Sequence, residues 1–245
     1  AHYHTASGCG GRHCRRPHPL SIASCSRAER TRATTMKILT PGRMDYATAL
    51  DLQNTLLEDL LAGRGEETLI LLEHDPVYTI GRTRDQTSLG IAMPHPVFET
   101  NRGGQATYHG PGQLTGYPIL DLNRRGRDLH LYLRFLESFL IDLSATYGIS
   151  AQRREGLTGV WVGTRKLASL GVGIKKWVSM HGFAINVTRE SLEPFTHITP
   201  CGLRGVEITC FESETGREID MPDCIDRAAR LFEAALGTLG KPQTL

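Results

Sequence analysis

Apolar side chains recur at helical spacing from Asp45 to Leu61, at Tyr46, Ala49, Leu50, Leu56, Leu57 and Leu60. Gly63 ends the run, so the segment predicts a helix. Thr68 to Glu73 is a continuous apolar run of strand length, closed by His74-Asp75-Pro76. Val77 to Ile80 is short and extended, stopped by Gly81, and Val97 to Asn101 predicts a further strand leading into Arg102-Gly103-Gly104. Leu114 to Leu120 is extended again, and its Pro118 marks either a sheet edge or an irregularity. Asp128 then caps a long amphipathic helix through Leu131, Phe135, Phe139 and Leu143 to a stop at Gly148. Gly159 to Val162 and Leu167 to Val172 form a hairpin turning at Gly163-Thr164-Arg165. A strand follows over Val178 to Val187, and a last helix over Pro222 to Leu236. Helices that bracket runs of adjacent strands favour an α+β fold with a mixed, largely antiparallel sheet.

The 245 residues carry no apolar run near the ~20 that a membrane-spanning helix needs, so no membrane association is expected. The formal charge of +2 is uneven. Residues 1–35 hold six arginines and one acid, a net of +5, leaving −3 for the rest. The basic pI belongs to that tail, which removes the electrostatic case for nucleic-acid binding by the folded part. Residues 1–35 are rich in Ser, Thr, Arg, His and Gly, and predict a disordered extension followed by a single catalytic domain over 36–245. The extension reads as upstream sequence or as a transit peptide, which leaves two compartments open: the cytoplasm, or a mitochondrion or plastid. The body cysteines Cys201, Cys210 and Cys224 are an odd set without compact spacing, which argues for a reducing compartment.

Three segments carry candidate chemistry. Arg102 to Gln113 places glycines at 103, 104, 110 and 112 around a cation and His109, and such glycines let a backbone approach a ligand closely. Lys166-Leu167-Ala168-Ser169-Leu170-Gly171 sets a lysine just after a turn. Thr199-Pro200-Cys201-Gly202 brackets a thiol with turn residues. A lone cysteine is more often a small buried hydrophobe, and Cys210 and Cys224 are read that way.

Taken in order, Arg102-Gly103-Gly104-x-x-Thr107-Tyr108-His109-Gly110-Pro111-Gly112-Gln113, Lys166-x-Ala168-Ser169-x-Gly171, His181-Gly182-Phe183-Ala184-x-Asn186-Val187 and Ile198-Thr199-Pro200-Cys201-Gly202 closely resemble the lipoyl(octanoyl) transferase family. The resemblance runs from about residue 37 to the end and includes His74 to Gly81. It implies the fold of lipoate-protein ligases and of the catalytic domain of biotin ligases. It implies octanoyl transfer from acyl carrier protein to the target lysine of lipoyl domains, those of 2-oxoacid dehydrogenase complexes and the glycine cleavage H protein. Cys201 takes the place of the acyl-thioester nucleophile and Lys166 that of the residue lowering its pKa. Arg102, Gly103, Gly104, Gln105, Ala106, Thr107, Tyr108 and His109 fall on substrate-binding stretches, as do Ser169, Leu170, Gly171, Gly182, Phe183 and Ala184. No metal, ATP or other cofactor is expected, because a thioester donor is already activated.

The chemistry suits the residues. A thiol is only a few per cent ionised at neutral pH, and a neighbouring ammonium favours the thiolate. His109 and His181 are candidates for ordering the site, Asn186 for fixing a loop, and Arg165, Lys175 and Lys176 for a docking patch facing an acidic carrier protein. An ATP-dependent ligase on the same fold, or a non-catalytic carrier-binding module, is the alternative reading.

Overall fold

A computed structural model describes residues 36–199 and 205–240. The expected extension, residues 1–35, and Cys201 lie outside the described residues. The elements run β1 (Lys37–Met44), α1 (Tyr46–Leu61), β2 (Thr68–His74), β3 (Val77–Ile80), β4 (Val97–Glu99), β5 (Thr107–His109), β6 (Gln113–Ile119) and α2 (Leu129–Ala145). Then follow β7 (Gln152–Arg154), β8 (Leu157–Val162), β9 (Arg165–Lys175), β10 (Val178–Asn186), α3 (Phe211–Thr215) and α4 (Met221–Leu236). The main sheet has the order β1-β2-β6-β10-β9-β8-β7, and a small sheet the order β4-β3-β5. The β1–β2 and β3–β4 pairs are parallel and the others antiparallel, an α+β arrangement as the pattern predicts.

Each long helix is started by an aspartate that accepts a backbone N–H: Asp45 from Thr48, Asp128 from Leu131 and Asp220 from Asp223. The strand period of two then sorts the core. Leu69 and Leu71 of β2 belong to the cluster that also contains Phe139, Phe183 and Phe232, so they face α2 and α4. Ile70 and Leu72 point the other way, to Ala49 of α1 and Tyr117. Phe232 of α4 meets Phe135 and Phe139 of α2 edge to face, at 5.4 and 5.1 Å between centroids. Cys210 and Cys224 are both fully buried, the packing role the sequence assigns them.

Pro118 sits inside the sheet, so of its two readings the irregularity is the one observed. The β2–β6 register continues to Ile119, whereas the β6–β10 register ends at Gly116 opposite Phe183. Beyond that point His181 has a φ of 55°, and the Ser179 hydroxyl takes over from the ladder. It accepts from Leu120 N at 3.0 Å and donates to the Pro118 carbonyl at 2.7 Å. A proline is tolerated here because no neighbouring strand asks for its missing N–H.

Candidate active site

The α1 side of β9 and β10 is lined by small residues. Ser169 lies opposite Ala184 and Gly171 opposite Gly182, two adjacent cross-strand pairs. A side chain at Gly182 would fall 2.3 Å from the Gly116 carbonyl oxygen, and one at Gly171 would fall 3.0 Å from Arg102 Cδ. Both pairs also line a cavity with about 550 Å³ of space, open solvent included. Of the residues expected to bind substrate, Arg102, Gly104, Gln105, Ala106, Thr107 and His109 line one wall. Ser169, Leu170, Gly171, Gly182, Phe183 and Ala184 line the floor and side, and Lys166 closes one end of the row.

Two expected residues are not part of this lining. Tyr108 alternates with Thr107 and His109 along β5, so its ring faces away, packing against Tyr78 and Phe195. Gly103 donates its N–H to Val172 O at 3.0 Å and lines an adjoining groove with Leu129, Leu133 and Leu157. The docking patch dissolves too. Arg165 and Lys175 stand at opposite ends of β9, roughly 33 Å apart by strand rise, so with Lys176 they make no single surface. Arg165 also holds Glu214 through two 2.9 Å bonds, and Lys175 pairs with Glu58.

Arg102 is buried and knits its loop together. Its guanidinium donates to Thr79 O and Oγ1, to Gly103 O and to Gln105 O, at 2.7 to 2.9 Å. Gln105 in turn donates its amide to Asp85 Oδ2 at 2.9 Å. Across the cavity His181 bonds Asn101 Oδ1 through Nε2 at 2.8 Å, and burial, with Arg102 adding, pushes its pKa down to about 4.

Two buried hydrogen-bond chains have their direction set by backbone carbonyls, which can only accept. The Thr209 carbonyl takes the Asn186 amide N–H at 3.1 Å, Asn186 Oδ1 takes the Gln113 amide at 2.9 Å, and Gln113 Oε1 takes His109 Nδ1–H at 2.8 Å. His109 is thereby fixed with its proton on Nδ1 and a lone pair on Nε2. Burial, then His74 and Arg102, hold its pKa well below the usual imidazole range. In the second chain the Met44 carbonyl takes His74 Nδ1–H at 2.9 Å, and His74 Nε2 takes the Tyr117 hydroxyl proton at 2.6 Å. Burial lowers His74 to about 4, so both imidazoles are neutral at pH 7. Among the described residues no three His, Cys, Asp or Glu side chains gather as a metal-ligand set.

Lys166 is 3 % exposed, with its Nζ 5.7 Å from the Trp161 ring centre. Its stem passes Gly159, whose φ is 128°, and a Cβ there would lie 3.1 Å from Lys166 Cε and 2.7 Å from Ala168 O. Glu137, itself buried between Arg134 and Arg153, accepts the Gly159 N–H at 3.1 Å and fixes that wall. Lys166 N donates to Glu207 O at 2.8 Å and Thr209 N to Lys166 O at 2.9 Å. On the other side of Cys201 in sequence, Thr199 N donates to Ser88 O at 2.8 Å.

The sequence gives no site role to Tyr46, Tyr117 or Gly159, and holds Gln113 in the glycine-rich motif without assigning it a contact. Tyr46 and Tyr117 occupy ordinary apolar positions of a helix and a strand, and line the cavity all the same. Only Gly159, inside a strand pattern, carried a signal of close approach.

A solved bipartite lipoate protein ligase from Thermoplasma acidophilum superposes with a TM-score of 0.63 over 83% of this chain and 84% of its own, at 14% identity. A biotin protein ligase from Aquifex aeolicus gives a TM-score of 0.52 over 84% of this chain and 72% of its own, at 13% identity. These likenesses define the fold class as that of the lipoate and biotin ligase catalytic domains. The profile of the lipoyl protein ligase A/B catalytic domain matches residues 45–233. The octanoyltransferase of Geobacter sulfurreducens is 54% identical over 197 residues, covering 80% of this chain and 83% of its own. That of Geotalea uraniireducens is 48% identical over 201 residues, covering 82% and 93%. The chain belongs to the octanoyltransferase family and is an acyltransferase. Among the described residues no helix is long and apolar enough to cross a membrane.

Proposed function

We propose that the protein transfers an octanoyl group from octanoyl-acyl carrier protein to the target lysine of lipoyl domains, in 2-oxoacid dehydrogenase complexes and the glycine cleavage H protein, through an acyl-thioester on Cys201. The observation that carries this reading is Lys166, a buried ammonium at one end of the small-residue cavity. Its backbone pairs with Glu207 to Thr209, a few residues after the expected nucleophile. The names of the relatives supply the acyl group.

In the first step the Cys201 thiolate attacks the donor thioester carbonyl, and the bond from that carbon to the carrier's sulfur breaks. The carrier leaves as its thiol. In the second step the neutral amine of the target lysine attacks the acyl-cysteine, the amide forms and the Cys201 thiolate departs. The Lys166 ammonium favours the Cys201 thiolate and gives a proton to the departing carrier sulfur in the first step; as the neutral amine it then takes up the proton released by the attacking lysine in the second. A thioester carries its own activation, so the reaction uses neither ATP nor a metal. The acyl chain lies along the floor formed by Ser169, Gly171, Gly182 and Ala184.

Intact-mass spectrometry after incubation with octanoyl-acyl carrier protein is the test. One octanoyl adduct, sensitive to hydroxylamine and absent from Cys201→Ala, is expected. An adduct that survives this substitution removes Cys201 from the role, and strict dependence on ATP and Mg²⁺ would replace the transferase with a ligase.

A further inference from the structure

The cavity floor suits a hydrocarbon chain, but its deep wall does not. Both buried chains described above run from a backbone carbonyl toward the cavity, so each ends there in a lone pair. The first leaves His109 Nε2 as an acceptor. The second commits the Tyr117 hydroxyl proton to His74 and leaves the phenol oxygen as an acceptor. Two more acceptors have no hydrogen-bond partner among the described residues. Gln105 must turn its amide nitrogen to the Asp85 carboxylate, which leaves Oε1 buried, and His181 Nδ1 is buried in the same state. All four residues line the same cavity as Lys166.

Their place along the floor matters. Lys166 begins the row and Gly171 ends it, five residues on, or about 16 Å by strand rise. His181 pairs in register with Val172, at the Gly171 end. An acyl carbon held at the Lys166 end therefore sends its chain toward a wall that offers acceptors. A methyl end covers those lone pairs and satisfies none, whereas a hydroxyl end donates to one.

We propose that this wall is a specificity subsite for acyl chains ending in a hydrogen-bond donor, so that a terminal hydroxyl is preferred to a methyl at equal chain length. The inference rests on the acyl-transfer reading above. The matched pair is 8-hydroxyoctanoyl and nonanoyl, which have the same number of chain heavy atoms. Both are presented on acyl carrier protein in direct competition, with octanoyl-carrier protein run separately and a lipoyl domain as acceptor, and products are counted by intact mass.

The hydroxylated chain is expected to win by about tenfold in kcat/KM. Tyr117→Phe, which keeps the ring and removes one acceptor, should shrink that ratio several-fold. Equal transfer of the pair, or a preference for nonanoyl, overturns the subsite and leaves acyl transfer standing. No transfer of any chain, octanoyl included, overturns both. The wild-type ratio decides the matter even where a variant folds poorly.

Discussion

The two faces of β6 and β10 are built on opposite principles. Toward α2 and α4 the strands present large apolar groups, Leu114, Phe183 and Ile185, interlocked with Phe139 and Phe232. Toward α1 and the small sheet they present Gly182, Ala184, Tyr117 and Gln113, which leave a cavity and a set of directed polar bonds. The first face stabilises by burial, at roughly 25 cal/mol per Å² of apolar surface. The second buries neutral histidines, whose protonation the fold opposes. One sheet can carry both because side chains alternate, so packing on one face leaves the other free for chemistry.

This contrast can be broken in order of size. Phe232→Ala, at the centre of the α2–α4 face, should lose about 3–5 kcal/mol in urea denaturation while leaving the pH profile of acyl transfer in place. A shifted profile would show that the two faces are coupled.

The buried imidazoles come next. His74 and His181 are held at about 4 in the fold against an ordinary value near 6.5. Their neutral forms are what the fold accommodates, so their contribution is fully present above pH 6.5. It is lost as pH falls toward 4, roughly 3 kcal/mol each at the limit. Urea midpoints measured from pH 7 down to 4.5 should fall across that window, and a flat line would contradict the burial argument.

Lys166→Ala should slow Cys201 acylation about 100-fold at pH 7 and recover partly at high pH, where the thiol ionises unaided. A defect equal at all pH values would give Lys166 a positioning role instead. The smallest effect is expected from Gly159→Ala, which crowds the Lys166 stem from the far side of the hairpin. Acylation should fall about tenfold and its pH profile move upward, because a displaced ammonium lets the thiol pKa rise toward its ordinary value. An unchanged profile with a lowered melting temperature would leave Gly159 only a backbone role.

Most of the framework was legible because its signals are local. Asp45 and Asp128 cap the helices that their apolar spacing predicts, and Val77 to Ile80 is a strand with the expected ends. β1 was not anticipated: Pro41-Gly42 interrupts it, its register shifts between Leu39 and Gly42, and it lies exposed at the sheet edge without alternation. The Gly-rich loop and the β9–β10 pairs were readable as a set of motifs. Their division of labour was not. Tyr108 turns from the cavity because of strand parity, and Arg165 and Lys175 separate because one strand carries both. Tyr46 and Tyr117 look like core positions until the fold brings their rings toward His74, at 5.3 and 5.8 Å between centroids.

The chain from Thr209 to His109 also constrains how this sequence can drift. Asn186 and Gln113 each show an oxygen to one neighbour and an N–H to the other, in an order imposed from a single carbonyl. A carboxylate at either position places two acceptors face to face within the core. Neither Asn186→Asp nor Gln113→Glu is therefore an easy single step. Each position is held to a side chain that offers both a donor and an acceptor, and a change at Gln113 does not relieve a carboxylate at 186 of the Thr209 carbonyl it faces.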